Sequence, residues 1–139
     1  MEKIYSNIKK NKLLHIIVRK KDLTTGRKDV VPEDNFIQCA VLNLNKNKTF
    51  RPHKHIKKHR TYDEKIAQES WIVVRGSVKC IFYDLDDSIL AEPILKAGDA
   101  SFTLEGGHTY EILEDNTIVY EYKTGPYEGV QQDKIFLDE

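Results

Sequence analysis

The sequence predicts an all-β fold in a single domain. Short apolar segments rich in Val, Ile, Tyr and Phe alternate with turn signals about every 8–12 residues, which is typical of antiparallel sandwiches and barrels. No window of helical period is long enough to compete with these segments. The chain has 139 residues, of which 40% are hydrophobic, so it is long enough for one domain with a real core and too short for two ordinary ones.

Two strands are predicted before the histidine-rich middle of the chain. Residues 13–19 are rich in Ile and Val, and His15 within them is expected to be a packed or edge residue rather than a ligand. Residues 20–32 are polar and end at a proline, so they are predicted to form a loop. Residues 36–44 alternate in polarity and are predicted to form the second strand, which a polar turn over 45–48 follows.

The second half of the chain is predicted to form short strands separated by tight turns. Pro93 interrupts one segment and favours a sheet edge or a bulge there. The predicted strands are 70–74, 78–83, 89–95, 100–104, 109–113 and 117–123. Together with the earlier segments they make about nine strands, and a small jelly roll folds such a set around one interior. The sequence therefore predicts one domain over 1–139, with a core of about 10–125 and a tail over 126–139.

Charge and composition exclude several classes of protein. The 22 Lys and Arg balance the 22 Asp and Glu, so nothing favours general nucleic-acid binding. No apolar run approaches the roughly 20 residues of a membrane span, and the basic residues 1–14 do not form a signal peptide. Cys39 and Cys80 both lie in apolar segments, which suggests buried thiols in a reducing compartment. A cytoplasmic protein is therefore expected.

Three histidines and one glutamate are candidate metal ligands. His53 and His55 lie two residues apart on a segment, 49–56, that is predicted to be a strand, and this spacing sends both rings to one face. Glu69 opens the next apolar segment and can be aimed at the same point, while His108 follows a pair of glycines. Two imidazoles and a carboxylate from neighbouring strands suit a divalent transition metal. The alternative is that His53 and His55 are a solvent-facing pair on an edge strand.

The stretch from His53 to Gly76 resembles the first motif of the cupin superfamily. That motif has a His-x-His pair, a later Glu, six residues and a Gly, and here His53 and His55 precede Glu69, which Gly76 follows after six residues. Between His55 and Glu69 lie residues 56–68, a longer insertion than is usual in the family. This charged insertion is predicted to form a mobile loop over the mouth of the barrel.

The second cupin motif is matched around Gly98 and His108. Gly98 opens the motif, and Gly106 and His108 close it. Leu104 stands where the family has Pro, and the spacing from Gly106 to His108 is one residue short. Residues 123–127 also look like the end of small single-domain cupins, some of which are linked to surface-sugar pathways.

The resemblance implies a metal site. Carried over by position, the ligands are His53, His55, Glu69 and His108. Nitrogen and oxygen ligands with no thiolate favour Fe, Mn, Ni or Zn over Cu(I). The resemblance is moderately specific for the fold and weakly specific for the reaction.

Tyr110, Tyr120 and His59 are the candidate catalytic groups. The alternative for Tyr110 and Tyr120 is that they are packing residues, although Tyr120 and Tyr122 share a strand face that Tyr110 can join. His59 lies in a basic part of the predicted loop, which is either a solvated segment or a lid that attracts an anionic substrate.

Two functions of different class agree with these residues. One is a metal-dependent enzyme, an isomerase, epimerase or dioxygenase that acts on a small polar molecule such as a sugar derivative. The other is a module that binds or senses a small ligand without catalysis. A homodimer is also expected, because a small barrel exposes edge strands that residues 13–19 and the apolar residues 135–137 can cover.

Overall fold

The computed structural model describes residues 1–22, 25–43, 45–48, 51–53, 66–125 and 135–137. Within these ranges the chain is all-β apart from one 3-10 turn over Lys20–Asp22, so the predicted all-β class is confirmed, and the jelly roll stays a prediction. The described strands are β1 Glu2–Tyr5, β2 Leu13–Val18, β3 Gly26–Asp29, β4 Ala40–Asn43, β5 Glu69–Arg75, β6 Ser77–Tyr83, β7 Ile89–Ala91, β8 Ile94–Lys96, β9 Ala100–Thr103, β10 His108–Ile112 and β11 Ile118–Lys123.

The strands form two main sheets and one separate hairpin, and every ladder is antiparallel. A five-stranded sheet has the order β1-β2-β9-β5-β11. A second sheet has the order β10-β6-β7, with β8 also paired to β6. Strands β3 and β4 pair only with each other among the described residues. Several neighbouring strands in the five-stranded sheet come from distant parts of the chain, so the sheet forms through long-range pairing.

The five-stranded sheet buries apolar side chains on both faces. Strand β2 is apolar at almost every position, as a strand covered on both sides must be. One face packs against the second sheet through Ile17, Val73, Val78, Cys80, Phe82 and Leu95. The other face packs against residues 30–41 through Ile16, Val18, Val30, Val31, Phe102 and Leu104. The sheet is therefore the middle layer of the fold.

Gly76 carries the chain from one main sheet to the other. It joins β5 to β6 with a φ of +81°, in the region that favours glycine, and a Cβ at this position would clash with Thr117. The turn lets Val73 on β5 and Val78 on β6 meet in one core. The sequence prediction of a turn at this glycine is confirmed.

Strand register arranges the side chains between the two sheets in rows. Residues opposite one another in the five-stranded sheet make a polar row of His15, Thr103, Glu69 and Lys123. The facing row of the second sheet contains His108 paired with Phe82. One step along, Trp71 and Ser101 lie opposite each other, and Tyr110 pairs with Cys80 in the facing sheet. Position along the strands therefore decides which side chains can meet.

Several predicted boundaries in the first half are wrong. The strand predicted over 36–44 begins only at Ala40, since residues 36–37 form a bend. The Cys39 carbonyl accepts the Val30 N–H at 2.9 Å next to the first residue pair of β3 and β4. The predicted loop over 20–32 contains β3 as well as the 3-10 turn. Strand β1 was not predicted, since three of its four residues are exposed.

Two further predictions concern the middle of the chain. The segment over 89–95 splits into β7 and β8, because the Pro93 carbonyl accepts the Cys80 N–H at 2.9 Å between them. The predicted strand over 49–56 is wrong for 51–53, which are not in a strand. The rest of that segment lies outside the described residues. The described chain thus has 11 strands rather than about nine.

Both cysteines are free thiols. Cys80 is buried, and burial raises the pKa of its thiol to about 12. Cys39 is half-buried, and burial also raises its thiol pKa. Neither thiol is therefore ionised near neutral pH. In the part of the chain that the structure describes, no helix is long and apolar enough to cross a membrane.

Candidate functional site

Glu69 and His108 meet at one end of the space between the two main sheets. Each opens its strand, Glu69 on β5 and His108 on β10. The His108 Nε2 lies 3.2 Å from the Glu69 Oε1, and the two side chains are only 24% and 13% exposed. An ionised carboxylate oxygen only accepts, so with this contact His108 carries its proton on Nε2. The structure brings these two of the four predicted metal ligands together.

Trp71 fixes the same carboxylate oxygen from a second side. Its Nε1–H donates to the Glu69 Oε1 at 3.2 Å. The Trp71 ring stacks on Tyr110 with 3.9 Å between the ring centroids and an interplanar angle of 2°. Glu69 therefore receives two N–H groups, and its orientation depends on a packed aromatic pair.

Tyr110 lies beneath the pair, with its ring centroid 5.6 Å from that of His108. Its hydroxyl oxygen is 3.1 Å from the Ser101 Oγ. Burial raises the pKa of the Tyr110 hydroxyl, while the hydrogen bond to Ser101 acts in the opposite direction. The hydroxyl keeps its proton at neutral pH, so it can donate a hydrogen bond but cannot act as a general base there.

One buried atom at the site has no hydrogen-bond partner. The His108 Nδ1 is inaccessible to solvent and makes no hydrogen bond within the part of the chain that the structure describes. Buried polar atoms are nearly always paired, so each exception needs a physical reason.

The donor pair fits part of a metal site. Two donor atoms that each lie about 2.1 Å from one ion, as neighbours in tetrahedral or octahedral geometry, are roughly 3.0–3.4 Å apart. The 3.2 Å between the Glu69 Oε1 and the His108 Nε2 falls in this range, and an ion bound there would take the place of the proton on Nε2. Among the described residues no group of three or more His, Cys, Asp or Glu is placed to hold an ion. The fit therefore concerns two ligands.

The other predicted ligands have different outcomes. His53 is exposed, and its Nδ1 lies 2.9 Å from the carbonyl oxygen of Arg51. His55 lies outside the described residues, and so does the catalytic candidate His59. The prediction that His53 and His55 bind a metal therefore stays a prediction.

His15 lies in the same polar row as Glu69 and is completely buried. Its Nδ1 is 3.2 Å from the Thr103 Oγ1, and its Nε2 is 3.4 Å from the Tyr83 carbonyl oxygen. The ring stacks on Phe82 at 4.4 Å. Burial, with a smaller contribution from nearby His108, lowers the pKa of His15 to about 4. The expectation that His15 is a packed residue is confirmed.

The two glycines before His108 make a close backbone approach possible. Gly106 has a φ of +85°, and a Cβ there would lie 2.6 Å from the Tyr83 carbonyl oxygen. The Tyr83 N–H donates to the Gly107 carbonyl at 2.9 Å. A Cβ on Gly107 would lie 2.9 Å from Leu137. Bulkier residues would displace the bend that leads into His108.

Tyr120 lies on a different face from Tyr110. It is 57% exposed, and its register on β11 places it with Tyr122 on the face turned away from the second sheet. The expectation that Tyr110 joins them is wrong, because β10 pairs with β6 and belongs to the other sheet. On that outer face, residues 36–40 and the end of β11 enclose an open groove of about 500 Å³ that Tyr122 helps to line.

The sequence did not single out several residues that shape the site. Ser101 and Thr103 alternate with apolar residues on β9 and face the second sheet. This alternation is the sequence pattern that could have indicated them. Gln68, the last residue of the predicted loop over 56–68, is buried, and residues 56–65 of that loop lie outside the described residues. Its amide accepts the Ile37 N–H at 2.9 Å and donates to the Leu104 carbonyl at 3.2 Å. This end of the segment is therefore anchored beside Glu69.

The chain was compared with models of known protein families, with curated proteins and with solved structures, and none of the three comparisons found a match.

Proposed function

We propose that this chain is a metal-binding protein of the cupin type, in which Glu69 and His108 hold a divalent transition metal together with His53 and His55. The observation that carries the proposal is the 3.2 Å approach of the Glu69 Oε1 to the His108 Nε2. The two residues are 39 positions apart and belong to strands of different sheets. A shared role explains why a carboxylate and an imidazole are brought to the same end of the interior.

The jelly-roll part of the proposal has support from the fold. Two antiparallel sheets pack face to face, and the five-stranded sheet joins strands from both ends of the chain. The second-motif histidine and the first-motif glutamate lie side by side, as one metal site requires. Neither Leu104 in the position of the family's Pro nor the shortened spacing before His108 keeps the two residues apart.

The donor set suits Fe, Mn, Ni or Zn. When bound, such an ion polarises a carbonyl group or activates water or dioxygen. Glu69 contributes negative charge towards a dication, and Trp71 holds the carboxylate in place. Tyr110 stays protonated beneath the pair. A small polar molecule such as a sugar derivative is the proposed substrate, with isomerisation, epimerisation or dioxygenation as the reaction.

A module that binds a small ligand without catalysis is the second candidate. Tyr110 favours it, because its hydroxyl is engaged by Ser101 and retains its proton, which leaves it unsuited to proton abstraction. Incubating the metal-loaded protein with sugar derivatives separates the two functions. Conversion seen by NMR supports the enzyme, and saturable binding with no conversion supports the module.

A homodimer in the cytoplasm completes the proposal. Two free thiols suit a reducing compartment. In the described part of the chain, β1 and β11 are the outer strands of the five-stranded sheet, and unpaired edges favour association with a second copy. Sedimentation velocity of the protein used for metal analysis distinguishes a monomer from a dimer.

Elemental analysis of the purified protein tests the metal site. We expect the parent to hold about one transition metal per chain, and His108→Ala to lower metal affinity by roughly tenfold or more, because a ligand is lost. Glu69→Gln and the double variant His53→Ala, His55→Ala should lose metal as well. Thr109→Ala is the matched control, since this exposed neighbour on β10 faces away from Glu69.

The variants also identify which part of the proposal fails. If His108→Ala and Glu69→Gln hold as much metal as the parent, the site lies elsewhere and the proposal is wrong. If only the double histidine variant keeps its metal, Glu69 and His108 stand as ligands and the first-motif histidines do not. A parent that takes up no transition metal after dialysis against each ion contradicts the whole assignment.

A further inference from the structure

His15 is a buried imidazole that the proposed metal function leaves without a role. No part of it is exposed, and its ring stacks on Phe82. It stands in the polar row, where its strand neighbour Thr103 separates it from Glu69. A histidine in the centre of two packed sheets costs free energy unless both ring nitrogens are paired.

The partners of His15 fix its tautomer. The Tyr83 oxygen at 3.4 Å from Nε2 is a backbone carbonyl, which only accepts, so Nε2 carries the proton. The Nδ1 then accepts the hydroxyl proton of Thr103 at 3.2 Å. Since Thr103 belongs to the five-stranded sheet and Tyr83 ends β6, His15 links the two sheets.

The backbone of Tyr83 contacts both His15 and the glycine bend. His15 approaches the Tyr83 carbonyl, and a Cβ on Gly106 would lie 2.6 Å from the same oxygen and 3.4 Å from the His15 Nε2. The Tyr83 N–H is bound to the Gly107 carbonyl at 2.9 Å. His108 is the next residue and opens β10. A displacement of the Tyr83 backbone therefore acts on the Gly107 carbonyl, in the residue that precedes His108.

The geometry points to His15 as a positioning residue for His108: through the Tyr83 carbonyl it holds the bend at Gly106 and Gly107, and so places the His108 imidazole against Glu69. His15 itself touches neither the metal nor a ligand molecule. Only the expected effect of His15 on metal affinity rests on the proposed metal function. The expected effect of His15 on the His108 ring applies to the metal-free protein as well.

Two conservative substitutions separate the two contacts of His15. His15→Gln places an amide N–H near the position of Nε2 and can keep the bond to the Tyr83 carbonyl. His15→Asn reaches only the position of Nδ1 and loses that bond. Ile17→Ala is the matched control, because Ile17 is equally buried on the same face of β2 but contacts the apolar core.

The first measurement is the His108 ring signal in NMR spectra of the metal-free protein, assigned by its absence from His108→Ala. We expect His15→Asn to shift this signal and to weaken metal binding roughly tenfold, the scale of lost support behind a ligand. His15→Gln should keep both close to the parent values. Ile17→Ala should lower the stability and leave both unchanged.

Two results would overturn the inference. One is an unchanged His108 signal in His15→Asn, which would limit His15 to a structural role. The other is an equal change in His15→Asn and His15→Gln, which would exclude the Tyr83 contact as the route. Should His15→Asn fail to fold, Gly106→Ala perturbs the same bend directly, at the Tyr83 oxygen that His15 contacts, and an unshifted His108 signal there is equally contradictory. A parent that binds no metal but shows the expected shifts ends the proposed function and leaves the positioning role intact.

Discussion

The two ends of the space between the main sheets are built from the same strands but differ in chemistry. At one end Val73, Val78 and Leu95 are almost completely buried in a continuous apolar cluster. At the other end the polar row of the five-stranded sheet faces His108. Alternation along a strand selects the face of a side chain, and distance along the strand selects the end. The apolar cluster and the polar candidate site thereby lie at opposite ends of one set of strands.

The two ends also differ in whether every buried group has the contacts that stabilise it. A fully buried Val or Leu contributes about 1.5–3 kcal/mol by leaving water, with no partner needed beyond close packing. Polar groups stabilise only when they are paired, and His15 and Thr103 are paired with each other. His108 is not, since its Nδ1 lacks a partner within the described chain. The polar end therefore contains one buried polar atom without a hydrogen-bond partner among the described residues.

The largest expected effect separates the apolar end from the polar end. Leu95→Ala should lower the free energy of unfolding by about 2–5 kcal/mol, because it leaves a cavity in a fully buried cluster. Urea denaturation followed by fluorescence measures the change. Metal bound per folded molecule should equal that of the parent. A loss of metal at unchanged fold would show that the two ends are not separable.

A somewhat smaller effect is expected from pH and concerns the polar end alone. Burial, with a further contribution from His108, lowers the pKa of His15 from 6.5 to about 4, so the unfolded chain binds a proton more readily than the folded one. This contribution to stability is complete above pH 6.5 and is lost as the pH falls towards 4, by about 3 kcal/mol in all.

Urea titrations between pH 7 and pH 4 measure this dependence. His15→Gln lacks the titrating group and should show a flatter decline of stability over the same range. Parallel curves for the parent and the variant would mean that His15 is not held neutral by burial. The apolar end has no side chain that titrates between pH 7 and pH 4, so it does not contribute to the difference between the parent and the variant.

The smallest expected effect comes from Trp71→Phe. Phenylalanine can keep the stack on Tyr110 but removes the N–H group that binds the Glu69 Oε1. We expect a loss of about 0.5–1.5 kcal/mol in stability, the usual contribution of one hydrogen bond, and a severalfold fall in metal affinity. Calorimetric titration with the metal checks the second effect. An unchanged affinity would show that Trp71 does not orient Glu69.

Hydrophobic alternation predicted the strands well where one face is buried. Strands β6 and β9 were located to within a residue, because their buried positions recur at every second residue or in one short apolar run. Strands β1 and β3 carry mainly charged and exposed side chains, so their pattern does not differ from that of a polar loop. Their pairing follows from neighbouring strands rather than from their own composition.

The site was predictable only in part, for a related reason. Motif positions proposed that Glu69 and His108 share a site, and their side chains do meet. The contributions of Trp71, Ser101 and Thr103 depend on strand register, which decides which residues of distant segments lie in one row. No local pattern encodes that register across two sheets.

The contact between His15 and Thr103 joins two strands that are synthesised at widely separated times. The two residues are 88 positions apart, and Ser6 is bound to Asp84 across 78 positions. At the usual rate of synthesis, β2 waits roughly 4 to 18 s before β9 has left the ribosome. During that time the apolar side chains of β2 lack the strand that covers them, and long-range pairing of this kind is slow even in the finished chain. The row that contains Glu69 can therefore be completed only after β9 and β11 have been synthesised.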